Sequence, residues 1–182
     1  KQDYIADTRQ LSLAEDGQTL ALDGHGYFAT KDLALTQIGA HTGIPVPYMR
    51  RLQREAPELL ARNVNHWFVG KPAQRMVRTL DGGARAFLSS RYARIDNLEV
   101  AETVLPVLGQ MADQHGEMEI VSTEVTENRL YIKAVFPQLR AEIASRRVGD
   151  IVEAGLLISN SEVGLGRSAS SPSRASSPAS TA

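Results

Sequence analysis

The chain has no cysteine among its 182 residues. That excludes disulfides, thiolate metal sites and cysteine nucleophiles, and fits a reducing compartment. No run of about 18 apolar residues is present to span a bilayer. No charged-then-apolar leader stands at the start, so a cytoplasmic location with no membrane partner is expected. The first residue is Lys1 rather than Met, and the natural start is expected to lie upstream. Phosphate-cradling glycine loops are missing too. There is no Walker-type loop, and Gly164-Leu165-Gly166 lacks the third glycine and the following helix of a dinucleotide fingerprint. No Gly-x-Ser-x-Gly elbow occurs. The four histidines, His25, His41, His66 and His115, pair neither with one another nor with a carboxylate at helical metal-ligand spacing, so no metal or cofactor is expected. The glutamates between Glu99 and Glu127 read as solvated faces rather than as a carboxylate metal site. With no catalytic constellation to assemble, the chain is not expected to be an enzyme.

What is present is a chain with 42% hydrophobic residues, enough for one globular core. In "QLSLAEDGQTLALDG", Leu11 and Leu13, then Leu20 and Leu22, alternate with polar residues around Glu15-Asp16-Gly17, which predicts an opening hairpin. Thr30 is placed to cap a helix over "KDLALTQIGAHTG", with Leu35 and Ile38 on one face and Gly43 as its stop. A short helix from about Pro47 is expected to end near Pro57, which itself suits the first position of the next helix. There Leu60, Val64, Trp67 and Phe68 form an apolar stripe, with Glu58, Arg62, Asn65 and His66 outward. Asp81-Gly82-Gly83 in "RMVRTLDGGARAFLSSRY" is the strongest turn signal in the chain and predicts a second hairpin. Asn97 is read as the cap of a helix with the stripe Val100, Val104, Leu108 and Met111, kinked or interrupted at Pro106 and ending near Gly116. A third hairpin is expected around Thr126-Glu127-Asn128, and "IVEAGLLISN" reads as a buried strand. The sum is an α+β fold, several antiparallel hairpins packed with three or four helices in a single domain.

Charge is unevenly spread, although the net value is only −1. Residues 1–49 carry three Lys/Arg and six Asp/Glu, residues 50–94 ten and three, and residues 95–182 seven and twelve. The basic stretch holds Arg75, Arg78, Arg85, Arg91 and Arg94, with Phe87 and Tyr92 interleaved. Guanidinium forks fit phosphate oxygens and aromatic faces stack bases, so these seven residues are the candidate nucleic-acid-binding set, with single-stranded DNA as the expected partner. The competing expectation is that the arginines pair with the acidic flanks, and that the chain is a protein-interaction or host-defence-modulating module.

Several motifs then carry a resemblance. In order they are "DYIADTR", "MVRTLDGGARAFLSSRYARIDN", "VAETVLPVL", "RLYIKAVFP" and "AGLLISNSEVGLG", from Asp3 to Gly166. Together they resemble the phage/plasmid-like family that carries domain of unknown function 932. The resemblance implies a mobile genetic element as the setting and no established activity; with the basic stretch and the absence of a catalytic constellation, DNA binding in replication or recombination of that element is the expected task. It supplies no catalytic residues. Residues 1–166 are accordingly read as a partial family domain. Beyond them, "RSASSPSRASSPASTA" departs from the family text, which continues with an apolar strand. A set of codons chosen for this tail, shifted by one nucleotide, reads "ALGVEPFACFVTCVNG". Residues 167–182 are therefore expected to be a frameshifted, disordered Ser/Ala/Pro-rich tail on a truncated domain. The loss of a strand beside "IVEAGLLISN" would leave an edge inviting self-association.

Overall fold

The computed structural model describes residues 1–142, 151–165 and 169–176. Its class is α+β, as the alternation of helix and strand signals predicts. The chain divides into two compact units, Lys1–Ala93 and Arg94–Ala182.

The first unit is built on a six-stranded sheet. It contains β1 (Gln2–Asp7), β2 (Leu11–Leu13), β3 (Thr19–Leu22), β4 (Gly26–Thr30), β5 (Gln74–Leu80) and β6 (Gly83–Ser89), in the spatial order β1-β5-β6-β4-β3-β2. All neighbours run antiparallel except β4 and β6, where Ala29 faces Gly83 and Thr30 faces Ala84 in parallel. The hairpin expected first in the chain is β2–β3. Leu11 pairs with Leu22 and Leu13 with Leu20, all four buried. Its turn is tied by Asp16, whose carboxylate accepts from the backbone N–H groups of Gln18 and Thr19 and from the Thr19 hydroxyl, at 2.6 to 2.8 Å. It does not open the domain, because β1 precedes it and pairs with β5 from Gln2↔Thr79 to Asp7↔Gln74.

Between β4 and β5 run three helices, α1 (Asp32–Thr42), α2 (Val46–Glu55) and α3 (Pro57–Gly70). Thr30 does not cap α1. It is held in β4 opposite Ala84, so Lys31 occupies the cap position and no side chain caps the helix. Gly43 stops α1 as expected, at φ 79°, a conformation that glycine adopts without steric penalty. Leu35 and Ile38, Met49 and Leu52, and Leu60, Val64 and Phe68 from the three helices meet Val77 and Phe87 of the sheet in one buried cluster.

Asn65 is not an outward residue. Its amide accepts from the Leu13 N–H at 2.7 Å and donates to the Leu13 carbonyl at 2.9 Å. The side chain thus stands in for a neighbouring strand along the outer edge of β2. Asn65→Ala leaves two partly buried backbone groups unpaired and is expected to lower stability by about 2 kcal/mol, read from the midpoint of urea unfolding. The β5–β6 turn is the two-residue connection that Asp-Gly predicts. Asp81 and Gly82 have φ of 48° and 75°, the mirror-image geometry that matches strand twist.

The second unit holds α4 (Asn97–His115), β7 (Glu119–Val125), β8 (Leu130–Glu142), β9 (Ile151–Asn160) and β10 (Ala169–Ser176). Its sheet is antiparallel in the order β10-β9-β8-β7. The hairpin around Thr126-Glu127-Asn128 is β7–β8, and the run expected to be a buried strand is β9, an interior strand of the sheet on which Gly155, Ile158 and Asn160 are buried while Ala154 is exposed. Val100 and Leu108 of α4 are buried against Leu130, Ile132, Ala134 and Ile158, with Val104 and Leu156 half-buried beside them.

Asn97 is the first helical residue rather than the cap, and Asp96 before it makes no capping bond. The Asn97 N–H is instead taken at 2.8 Å by the carboxylate of Glu162, a negative group at the positive end of the helix. Asn160 adds bonds of 2.9 Å to the Ile95 carbonyl and to the Asn97 side chain. Pro106 neither ends α4 nor interrupts it. Pro106 is exposed, as is Glu102 one turn earlier, so water can satisfy the carbonyl that loses its helical partner.

Part of the tail read as disordered is the strand β10, paired with β9 from Ala169↔Ser159 to Ser176↔Val152. Pairing of this kind draws on backbone groups, which a Ser/Ala composition supplies, and the outer position tolerates Pro172. The rest of residues 166–182 lies outside the described residues.

Candidate nucleic-acid interface

A β-strand sends successive side chains to opposite faces. Arg75 and Arg78 are three apart on β5, so one of them must face away from the other. The structure separates the seven predicted residues accordingly. Arg78 is 1% exposed, and its Nε donates to the Asp3 carboxylate at 2.9 Å. It is a buried ion pair between β1 and β5, with no free face for a phosphate. Phe87 is 2% exposed. Its ring stacks on Phe68 at a centroid distance of 5.8 Å inside the core, where no base can reach it. Both are removed from the candidate set.

Arg85 sits half-buried on β6 beside the register shift that opens at Arg78/Thr79. Arg91 is exposed in the turn after β6, where its N–H and that of Tyr92 are held by Ser89. Tyr92 is half-buried. Arg94 is exposed and begins the second unit. The stretch from 75 to 94 therefore does not form one basic and aromatic surface.

Arg75 has different company. Its Nη2 lies 2.7 Å from His41 Nδ1, and its guanidinium carbon is 5.4 Å from the centre of the Phe87 ring. A guanidinium only donates, so Nδ1 of His41 accepts and the ring proton sits on Nε2. His41 is on the last turn of α1, and its ring touches both Phe68 and Phe87. Lys71, at the end of α3, lies 3.5 Å from the Thr42 carbonyl and 4.6 Å from the centre of the Trp67 ring.

Three basic side chains from α1, the end of α3 and the start of β5 thus converge, and among the described residues none has a carboxylate among its contacts. Burial first, and then the Arg75 charge, push the His41 imidazole below its usual value, and the Lys71 charge adds to this while the Lys71 backbone opposes it. Burial alone lowers Arg75. Nε of Arg75 and Nε2 of His41 are enclosed without a hydrogen bond of their own. Such a group can meet an anion, since two of its enclosed N–H groups lack an acceptor and, among the described residues, its charges have no carboxylate beside them.

Sequence reading missed His41 and Lys71 because neither has a local signal. His41 sits 34 residues from Arg75, and only the packing of α1 on β6 brings them together. Aromatic surface also lies elsewhere than predicted. Tyr27 is 77% exposed on β4, and Tyr4, His25 and Phe28 form a separate ring cluster.

Among the described residues no three of His, Asp and Glu gather as a metal site, and no helix is long and apolar enough to cross a membrane. No family model, curated protein or solved structure matches the chain.

Proposed function

We propose that the chain is a noncatalytic DNA-binding component of a phage or plasmid, akin to the phage/plasmid-like family it resembles, which holds single-stranded DNA during replication or recombination of the element in the cytoplasm. The observation that carries this reading is the convergence of His41, Lys71 and Arg75 with no carboxylate partner. It lies in a unit whose residues 1–93 hold twelve Lys/Arg against nine Asp/Glu. The test is fluorescence anisotropy of a labelled single-stranded oligonucleotide against the full chain across a salt series. Binding is expected to fall steeply with salt, and Lys71→Ala and Arg75→Ala are each expected to reduce the single-strand salt slope by about 0.7. Absence of binding at low salt would defeat the proposal.

A second reading, a protein-interaction module that also self-associates, is favoured by a separate feature. Every residue of β7 is exposed along a sheet edge, including Ile120, Val121 and Val125. On α4, Leu98, Leu105 and Val107 are exposed as well. An apolar groove of about 290 Å³ opens between that helix and Leu156 and Ile158 of β9. Strand edges and apolar grooves of this kind are where chains join.

A further inference from the structure

We infer that His41, Lys71 and Arg75 form a proton-coupled phosphate site, in which an oxyanion binds together with a proton taken up by His41. The inference rests on the proposed contact between this cluster and nucleic acid, and says what the cluster recognises and how pH governs it.

The geometry sets the coupling. In the free chain Nδ1 of His41 accepts from Arg75 across 2.7 Å, so the imidazole is neutral. Protonating Nδ1 would set an N–H against the N–H of Arg75, two donors with nothing between them. A phosphate oxygen resolves that conflict by accepting from both, once the two nitrogens have parted by roughly 2 Å to admit it. Lys71 supplies a third cation at the solvent-exposed lip.

Among the described residues, every charged group that acts on the ring is of one sign. Arg75 comes from β5 and Lys71 from the end of α3, whereas β6 and α3 themselves present Phe87 and Phe68. No acidic group from α2 or from any other described element contributes. The free imidazole is therefore held neutral, and an anion placed among the three cations reverses the sign of the field it feels. The proton comes from solvent. No bond other than N–H forms or breaks.

The sign of the pH effect follows. Anion binding raises the His41 pKa from its depressed value. As pH falls through the bound-state value, complex formation takes up a proton and affinity climbs. Below the free-state value His41 is already charged, and the climb stops. Between those limits the gain approaches tenfold per pH unit for one proton. For the internal phosphodiester, whose charge is constant over this range, the Lys71 and Arg75 contacts alone would give a flat profile; for a terminal or inorganic phosphate, which gains a proton at about pH 6 to 7, they would give an affinity that falls as pH falls.

The test is isothermal titration calorimetry of the full chain from pH 8 to pH 6, in two buffers of different ionisation enthalpy. The probes are inorganic phosphate and an oligothymidylate with and without a 5′-phosphate. Expected are an uptake of up to one proton per site and an affinity that rises as pH falls. His41→Asn, whose side-chain oxygen can still accept from Arg75, is expected to bind at pH 8 but to lose the rise.

Equal binding of the two oligonucleotides assigns the site to the internal phosphodiester. Binding of inorganic phosphate and of the 5′-phosphorylated strand alone assigns it to a terminal or free phosphate, which also supports the site. As a measurement independent of any variant, the His41 ring resonances are expected to titrate at higher pH when phosphate is added. Oligonucleotide binding with no proton uptake, or with an unchanged pH profile in His41→Asn, overturns the inference and leaves DNA binding standing. Phosphate binding with proton uptake but no oligonucleotide binding supports the site and overturns the DNA reading. No binding of any probe overturns both.

Discussion

Phe87→Ala is expected to lower the stability of the first unit by about 4 kcal/mol, the largest effect of any change in the stretch from 75 to 94. The ring is 2% exposed. It faces Val77 across the β5–β6 pair, stacks on Phe68, and forms the floor under Arg75 and His41. Its removal opens a cavity where helix and sheet meet, and the rigid walls there relax only in part. Thermal and urea unfolding read the loss directly. A base-stacking role makes the opposite forecast, a drop of about 1 to 3 kcal/mol in oligonucleotide affinity with stability preserved. The two readings therefore separate on a single variant.

Asp3→Ala is expected to destabilise by about 3 kcal/mol. Asp3 and Arg78 have side chains 11% and 1% exposed, so removing the carboxylate takes a bonded negative charge away from a guanidinium that water hardly reaches. Asp3→Asn should lose nearly as much, because the amide restores an acceptor but no charge. The double variant Asp3→Ala with Arg78→Met should be less unstable than Asp3→Ala alone, since an apolar pair carries no desolvation penalty. Unfolding midpoints of the three proteins, measured together, check the ordering. If Asp3→Ala is neutral, the burial of Arg78 has been misjudged and that arginine returns to the list of DNA contacts.

How much of this was legible in the sequence depended on range. Features settled within a few residues were readable. Asp81-Gly82 forces its hairpin, Gly43 and Gly116 end their helices, and the leucines of β2 and β3 face one another as their alternation demands. The failures share a cause. β1 went unread because its one long aliphatic residue, Ile5, is 63% exposed, so it has no apolar alternation and is held by its register with β5. Thr30 and Asn97 have the chemistry of caps, but strand pairing claimed the first and Glu162 replaced the second.

The candidate site was legible only as composition. A count of arginines finds Arg75 and Arg78 together. Strand alternation, applied to the same residues, already places them on opposite faces. Nothing local marks Asp3 as the partner of Arg78, 75 residues away, or His41 as the partner of Arg75.

The carboxylate that holds the start of α4 has a consequence for the order of events during synthesis. Glu162 lies 65 residues after Asn97, and at ribosomal speeds that separation is roughly 3 to 13 seconds of elongation. Through that interval α4 has emerged without its anchor, and β9, which completes with β8 the surface its apolar stripe packs on, is not yet in place. The second unit is therefore expected to close late and all at once, as the strand and its trailing Asn160-Ser161-Glu162 arrive. The first unit is not delayed in this way, because its last strand, β6, is complete by Ser89. A nascent chain halted before β9 would offer proteases and chaperones a finished amino-terminal half followed by a helix whose apolar stripe has β8 to lie against but lacks Leu156 and Ile158 of β9.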